Sequence, residues 1–215
     1  MWRLLAVFLL ALAFMLFGFS LIDTASGTNV NASAVLEAPA LSTEGYARAL
    51  ETYEWNFPRD FGAHAEFQTE WWYYTGNLFT DSGERFGFQF TIFRRAISPQ
   101  NVTSDSEWRT NQIYMAHFTV SDISGGRFYH EERYSRGGAG LAGATTDPRY
   151  RVWLDDWEIL AEDEAAERVS IRASGEDFSI DLRLVQLKAP ALQGDGGLSP
   201  KSAEPGNASY YYTLS

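Results

Sequence analysis

The chain has no cysteine, which excludes disulfides, thiolate metal sites, a cysteine nucleophile and lipid attachment at a cysteine. Positive charge is scarce. Seventeen basic residues stand against 28 acidic ones, a net charge of -11, so the attraction on which nucleic acids and anionic membrane surfaces depend is missing. No Gly-x-Ser-x-Gly elbow occurs, so a Ser-His-Asp site has no support. His64, His117 and His130 are too widely spaced to form a local metal motif, and no metal site and no cofactor are expected. The glycine-rich stretch at 137–144 resembles a phosphate loop only in composition, because no Lys-Ser/Thr follows it. It reads as structural and too flexible for a regular element. No amphipathic helix separates the strand-like segments described below.

Aromatic residues are plentiful: they make up 15% of the 215 residues, enough to build a sizeable core around them. The segment at 66–79, EFQTEWWYYTGNLF, concentrates them and reads as a long β-strand. Alternation places Phe67, Thr69, Trp71, Tyr73 and Thr75 on one face and Gln68, Glu70, Trp72 and Tyr74 on the other. Large aromatics on both faces predict a strand covered on both sides. Glu70 is the anomaly. A carboxylate beside Trp72 and Tyr74 must be paired, hydrogen-bonded or protonated if it is buried.

Residues 4–22 form a nearly unbroken apolar run behind Arg3, and Asp23 ends it. This is the pattern of an export signal, with small residues at Ala25-Ser26-Gly27 or Ala32-Ser33-Ala34 for cleavage. The run is also long enough for an uncleaved anchor. Either way the folded part is expected outside the cytoplasm, periplasmic or extracellular. Residues 1–27 are thus assigned as signal or anchor and the Ser/Ala-rich 28–43 as a tether. A short helix is expected over 44–50, capped by Ser42 or Thr43, and a loop over 57–64 by its Pro and Gly.

Further strands are predicted at 84–97, 113–123, 127–136, 150–161, 168–174 and 177–187 from period-two alternation and the turns between them. With the central strand that gives about seven, joined mostly by short connections. The pattern is an all-β antiparallel meander closing into a barrel or sandwich over 44–190. Residues 191–215 read as a Gly/Pro-rich linker followed by a strand-like run at 209–213 that opens a second, truncated domain.

Several of these motifs carry a likeness. The run Thr69 to Leu78 after Phe57-Pro58-Arg59-Asp60, then Tyr114-Met115-Ala116-His117-Phe118, Arg151-Val152-Trp153-Leu154-Asp155-Asp156-Trp157 and the stretch from Gln193 to Tyr212 together resemble the carotenoid 1,2-hydratases and the secreted, lipocalin-like AttH-type predicted hydrolases. The likeness runs from about Ser42 to the last residue. It implies two lipocalin-like (calycin-type) β-barrels, of which this chain holds the first, and cofactor-independent hydration of an isoprenoid double bond or hydrolysis of an unknown substrate. It also implies that the acidic tryptophan-containing motif of the family lies in the second domain, beyond these residues. Two positions depart from the expected pattern. Phe61 stands where a second histidine is expected in the Asp-x-Gly-x-His loop, and Gly196 where an arginine is expected.

Hydrating an unactivated alkene needs a strong proton donor, π-rich walls for the developing cation, and water. Glu70 is the candidate acid, its pKa raised by apolar neighbours. The competing reading is a structural ion pair with Arg94 or Arg95 on the next strand. His117 is the second candidate, as a base or ligand-positioning group lining the cavity, or else a core histidine with one hydrogen bond. Trp71, Trp72, Tyr73, Tyr74, Phe88, Phe90, Tyr114 and Phe118 are the candidate walls for a hydrophobic small molecule. A non-catalytic carrier would need the walls alone.

Overall fold

A computed structural model describes residues 42–100 and 103–215; the apolar run at 4–22 and nearly all of the tether lie outside the described residues. Among the described residues no helix is long and apolar enough to cross a membrane.

Four strands, β1 (Thr69–Phe79), β2 (Arg85–Ala96), β3 (Gln112–Asp122) and β4 (Arg127–Arg136), pair in sequence order as one antiparallel sheet. Five more, β5 (Ala142–Thr145), β6 (Arg151–Leu154), β7 (Trp157–Ala161), β8 (Arg168–Ser174) and β9 (Ser179–Val185), make a second antiparallel sheet, also in sequence order. Period two decides what each strand buries. In the register Trp72–Ile92–Ala116, the inward positions of the first sheet are Trp72, Phe88, Phe90, Ile92, Ala116 and Phe118. They meet Val152, Leu154, Trp157, Ile159 and Ile171 of the second sheet. This is sheet-on-sheet packing with one shared core.

The expected closure into a complete barrel is not found. Among the described residues no ladder joins β1 to β9 or β4 to β5, so the edges stay open. The segments at 43–55 and 204–215 are tied down by backbone and side-chain bonds. Ala47 N–H donates to the Glu66 carbonyl, the Tyr46 hydroxyl to that of Ala96, and the Tyr210 hydroxyl to that of Glu51.

Other differences have local causes. The helix expected at 44–50 is a single turn, because Gly45 sits at φ +86° with Pro99 against it, although the Ser42 hydroxyl does accept from Glu44 N–H as the capping reading required. The glycine-rich stretch does yield a regular strand, β5. Gly143 lies opposite Trp153 and leaves room for its indole, where any Cβ would collide. The single strand expected over 150–161 is a hairpin. Asp155, at φ +52°, makes the turn with Asp156, so the two carboxylates mark a hairpin tip and Asp156 pairs with Arg133.

The outer face of the first sheet is less covered than two aromatic faces suggested. Trp71 is 40% exposed and Tyr73 46% exposed there.

Residues 191–215 form two short ladders, β10 (Ala191–Leu192) with β13 (Tyr212–Thr213) and β11 (Leu198–Pro200) with β12 (Ala208–Tyr210). Their tyrosines pack on the 53–61 segment. Tyr212 lies 5.0 Å from Phe57 and 5.2 Å from Trp55, ring centre to ring centre, and Tyr210 lies 5.0 Å from Tyr53.

Candidate functional site

A cavity of about 1000 Å³ opens beside β1. One wall is β1 itself, with Trp72, Tyr74 and Leu78. Val169 and Leu184 come from the second sheet, and Tyr210 and Tyr212 from the C-terminal ladders.

Of the side chains singled out from the sequence, Glu70, Trp71, Trp72, Tyr73, Tyr74 and Phe88 line this cavity. Phe90 and Phe118 do not. Both are fully buried between the sheets, in edge-to-face contact with Trp157, so they belong to the core and not to a ligand wall. Tyr114 is also buried outside the lining, and burial pushes its phenol up to about 12. His117 occupies the outer face of β3, since inward positions there are Tyr114, Ala116 and Phe118. It faces Phe93 and lies 3.8 Å from Glu132, and it is not one of the residues that line the cavity.

The surroundings of Glu70 are polar, unlike the apolar setting expected from its strand neighbours. The Arg94 Nε–H donates to its Oε2 at 2.8 Å, the His64 backbone N–H reaches both oxygens at 2.9 Å, and His64 Nδ1 lies 2.7 Å from Oε1. This is the pairing with a β2 arginine that register predicts, since Glu70 and Arg94 are cross-strand partners. Arg94 is itself almost fully buried. Its guanidinium also donates to the His64 and Phe67 carbonyls and to Gln112 Oε1, each at 2.8 Å. Four acceptor atoms are thereby fixed by one cation.

His64 and Asp60 were not among the candidates, and the structure brings both to this cluster. The 3-10 turn Arg59–Phe61 buries Asp60, and its Oδ1 lies 3.5 Å from His64 Nε2. Burial opposes ionisation of Asp60, but the hydrogen bonds from Arg59 and the Asn56 N–H, with the Arg59 charge, prevail and hold its carboxyl below the usual range. The hydrogen bond to Glu70 raises His64 above its ordinary 6.5; burial opposes that, and the Glu70 and Asp60 charges add to it. The only sequence signal for this pair was the Asp-x-Gly-x-His spacing. Phe61, which departs from that pattern, stacks on Phe57 in the core.

Because the folded pKa of His64 lies above its unfolded value, its ion pair stabilises the fold fully below pH 6.5. That contribution fades as pH rises through the raised value. Melting temperature is therefore expected to fall as pH rises above 6.5, and His64→Gln to flatten that part of the profile. An unchanged slope in the variant would show that the pair does not form.

Three phenols complete the wall. Burial pushes Tyr74 up to about 12 and raises Tyr150 and Tyr212 further, so all three stay neutral and can only exchange hydrogen bonds. Among the described residues no group of three or more His, Asp or Glu side chains is arranged to hold a metal ion.

Two antiparallel sheets flanking an aromatic-walled cavity define a lipocalin-like protein. Residues 48–215 match the AttH-like family, and the chain belongs to it. A crystal structure from Nitrosomonas europaea, assigned there to AttH, is 35% identical with a TM-score of 0.66, over 77% of this chain and 48% of that one. The chain thus spans about half the length of that relative. No curated protein matches it.

Proposed function

We propose that this AttH-like chain is an exported protein that holds a hydrophobic, isoprenoid- or lipid-like molecule in the cavity beside β1 and adds water to it, as a hydratase or hydrolase needing no redox cofactor. The observation that carries the reading is the cavity. Its volume, about 1000 Å³, suits a ligand of 15 to 20 carbons or so, and its walls are aromatic and aliphatic with one acid-base cluster set into them. Bulk polar ligands would leave those walls unmatched. Export rests on the apolar run at 4–22 and the small residues behind it.

A naphthylamine dye that fluoresces in apolar sites is expected to bind saturably and to be displaced by a C15 isoprenoid alcohol. Leu184 lines the cavity and is only partly buried, so Leu184→Trp fills volume there without entering the tight core. It should weaken dye binding by about tenfold or more, corresponding to roughly 1.4 kcal/mol. Non-saturable binding, or binding indifferent to both the alcohol and Leu184→Trp, would sink the reading.

A further inference from the structure

The two nitrogens of His64 are held differently. Nδ1 is in a short hydrogen bond to Glu70 at 2.7 Å, and because a carboxylate only accepts, Nδ1 carries the proton. Nε2 sits 3.5 Å from Asp60 Oδ1, beyond the normal hydrogen-bond range. Both Asp60 oxygens are already engaged, Oδ2 by the Asn56 N–H and Oδ1 by Arg59 Nε. Nε2 therefore makes no hydrogen bond and has only the longer ion-pair contact with Asp60, and His64 lines the cavity with 18% of its side chain exposed. Glu70 cannot swing away, since Arg94 and the His64 N–H pin it. This is a carboxylate orienting an imidazole that lines a ligand space.

From this geometry we infer that His64 is a general base that activates water for hydrolysis of an ester carried on a hydrophobic chain, with Glu70 as its positioning residue. The inference rests on the cavity being the ligand site. No Ser or Thr hydroxyl among the described residues is hydrogen-bonded to His64, so water is the nucleophile. Nε2 takes one proton from water as the water oxygen bonds to the ester carbonyl carbon. The tetrahedral intermediate then breaks its bond to the alkoxy oxygen, which takes the proton back from Nε2. The products are a carboxylic acid and an alcohol, and nothing but water is consumed.

Protonating a carbon-carbon double bond is a different demand. It needs an acid far stronger than an imidazolium, so His64 fits an ester and not an alkene. Glu70, held by Arg94 and by the His64 backbone and Nδ1 N–H groups, has its oxygens occupied and serves better as the orienting group. The groups facing His64 are Glu70 from β1, Asp60 from the turn, Glu66 and Tyr53 from the flanking segments, and Arg94 from β2 through the His64 carbonyl. The acidic majority favours the imidazolium, so the base form dominates only above the ordinary range.

The test is hydrolysis of nitrophenyl esters of 4 to 12 carbons by the full chain between pH 5.5 and 9, with dye binding measured alongside. Expected are kcat/KM rising with chain length and rising with pH through one ionisation above 6.5. His64→Gln should lower kcat by about 100-fold while dye affinity stays within a factor of 3 or so. Glu70→Gln should shift the pH midpoint downward. If His64→Gln fails to fold, the wild-type pH profile decides by itself: a rate independent of pH between 6 and 8.5 overturns the assignment. Dye binding with equal ester turnover by wild type and His64→Gln, or with no turnover at all, overturns the general base and leaves the cavity reading standing. Absent dye binding defeats the cavity reading directly.

Discussion

Arg94→Met is expected to lower the melting temperature by roughly 6–20 °C, from a loss of about 3–5 kcal/mol. The arginine is 1% exposed and satisfies Glu70, Gln112 and two backbone carbonyls at once. Methionine fills similar volume but donates nothing, so a buried carboxylate and two carbonyls lose their partner. The cost comes from those orphaned acceptors, not from lost attraction alone. Adding Glu70→Leu to Arg94→Met should therefore recover part of the stability, since removing both members of a buried pair costs less than removing one. Thermal unfolding of the three proteins checks this. A shift under about 2 °C for the single variant would mean that water already solvates the cluster.

Trp157→Ala should cost about 3–5 kcal/mol and leave ligand affinity unchanged. Trp157 is fully buried, its ring centre 5.9 Å from that of Phe90 and 5.7 Å from that of Phe118. Its indole N–H donates to the Ser174 carbonyl, and Arg133 lies over its face at 4.3 Å. The side chain joins the two sheets, yet it takes no part in the cavity wall. Denaturant unfolding with dye titration in parallel separates the two effects. A tenfold loss of dye affinity at a temperature where the variant is folded would show that core and cavity are one compartment.

Alternation carried much of the fold. Phe88, Phe90 and Ile92 on β2, and Val169 and Ile171 on β8, could be placed on the core side because a strand has only two faces. β4 and β8 were legible to the residue. Predictions failed where a single backbone torsion mattered: Gly45 stopping a helix, Asp155 folding one strand into two. They also failed where a partner distant in sequence mattered, as with Trp153 turning a glycine-rich loop into β5.

The candidate site divided in the same way. The aromatics of β1 and Phe88, expected as walls for a ligand, do border the cavity, and Glu70, expected to need a partner if buried, has one in Arg94. Phe90 and Phe118 have the same residue type and the same facing as Phe88, but they sit at positions along β2 and β3 that the second sheet covers. Period two assigns a face; it does not say what lies above a given rung.

By itself, the sequence determined an all-β antiparallel chain without thiol chemistry, acidic in net charge, with a carboxylate that had to be compensated and an AttH-like pattern of motifs. Tertiary structure alone decided that the sheets stay open at β1, that His117 faces away from the cavity, and that Asp60, His64, Glu70 and Arg94 converge. The reason is physical. Facing and composition are local properties of a strand, whereas closure and convergence depend on which segments, dozens of residues apart, occupy the same edge.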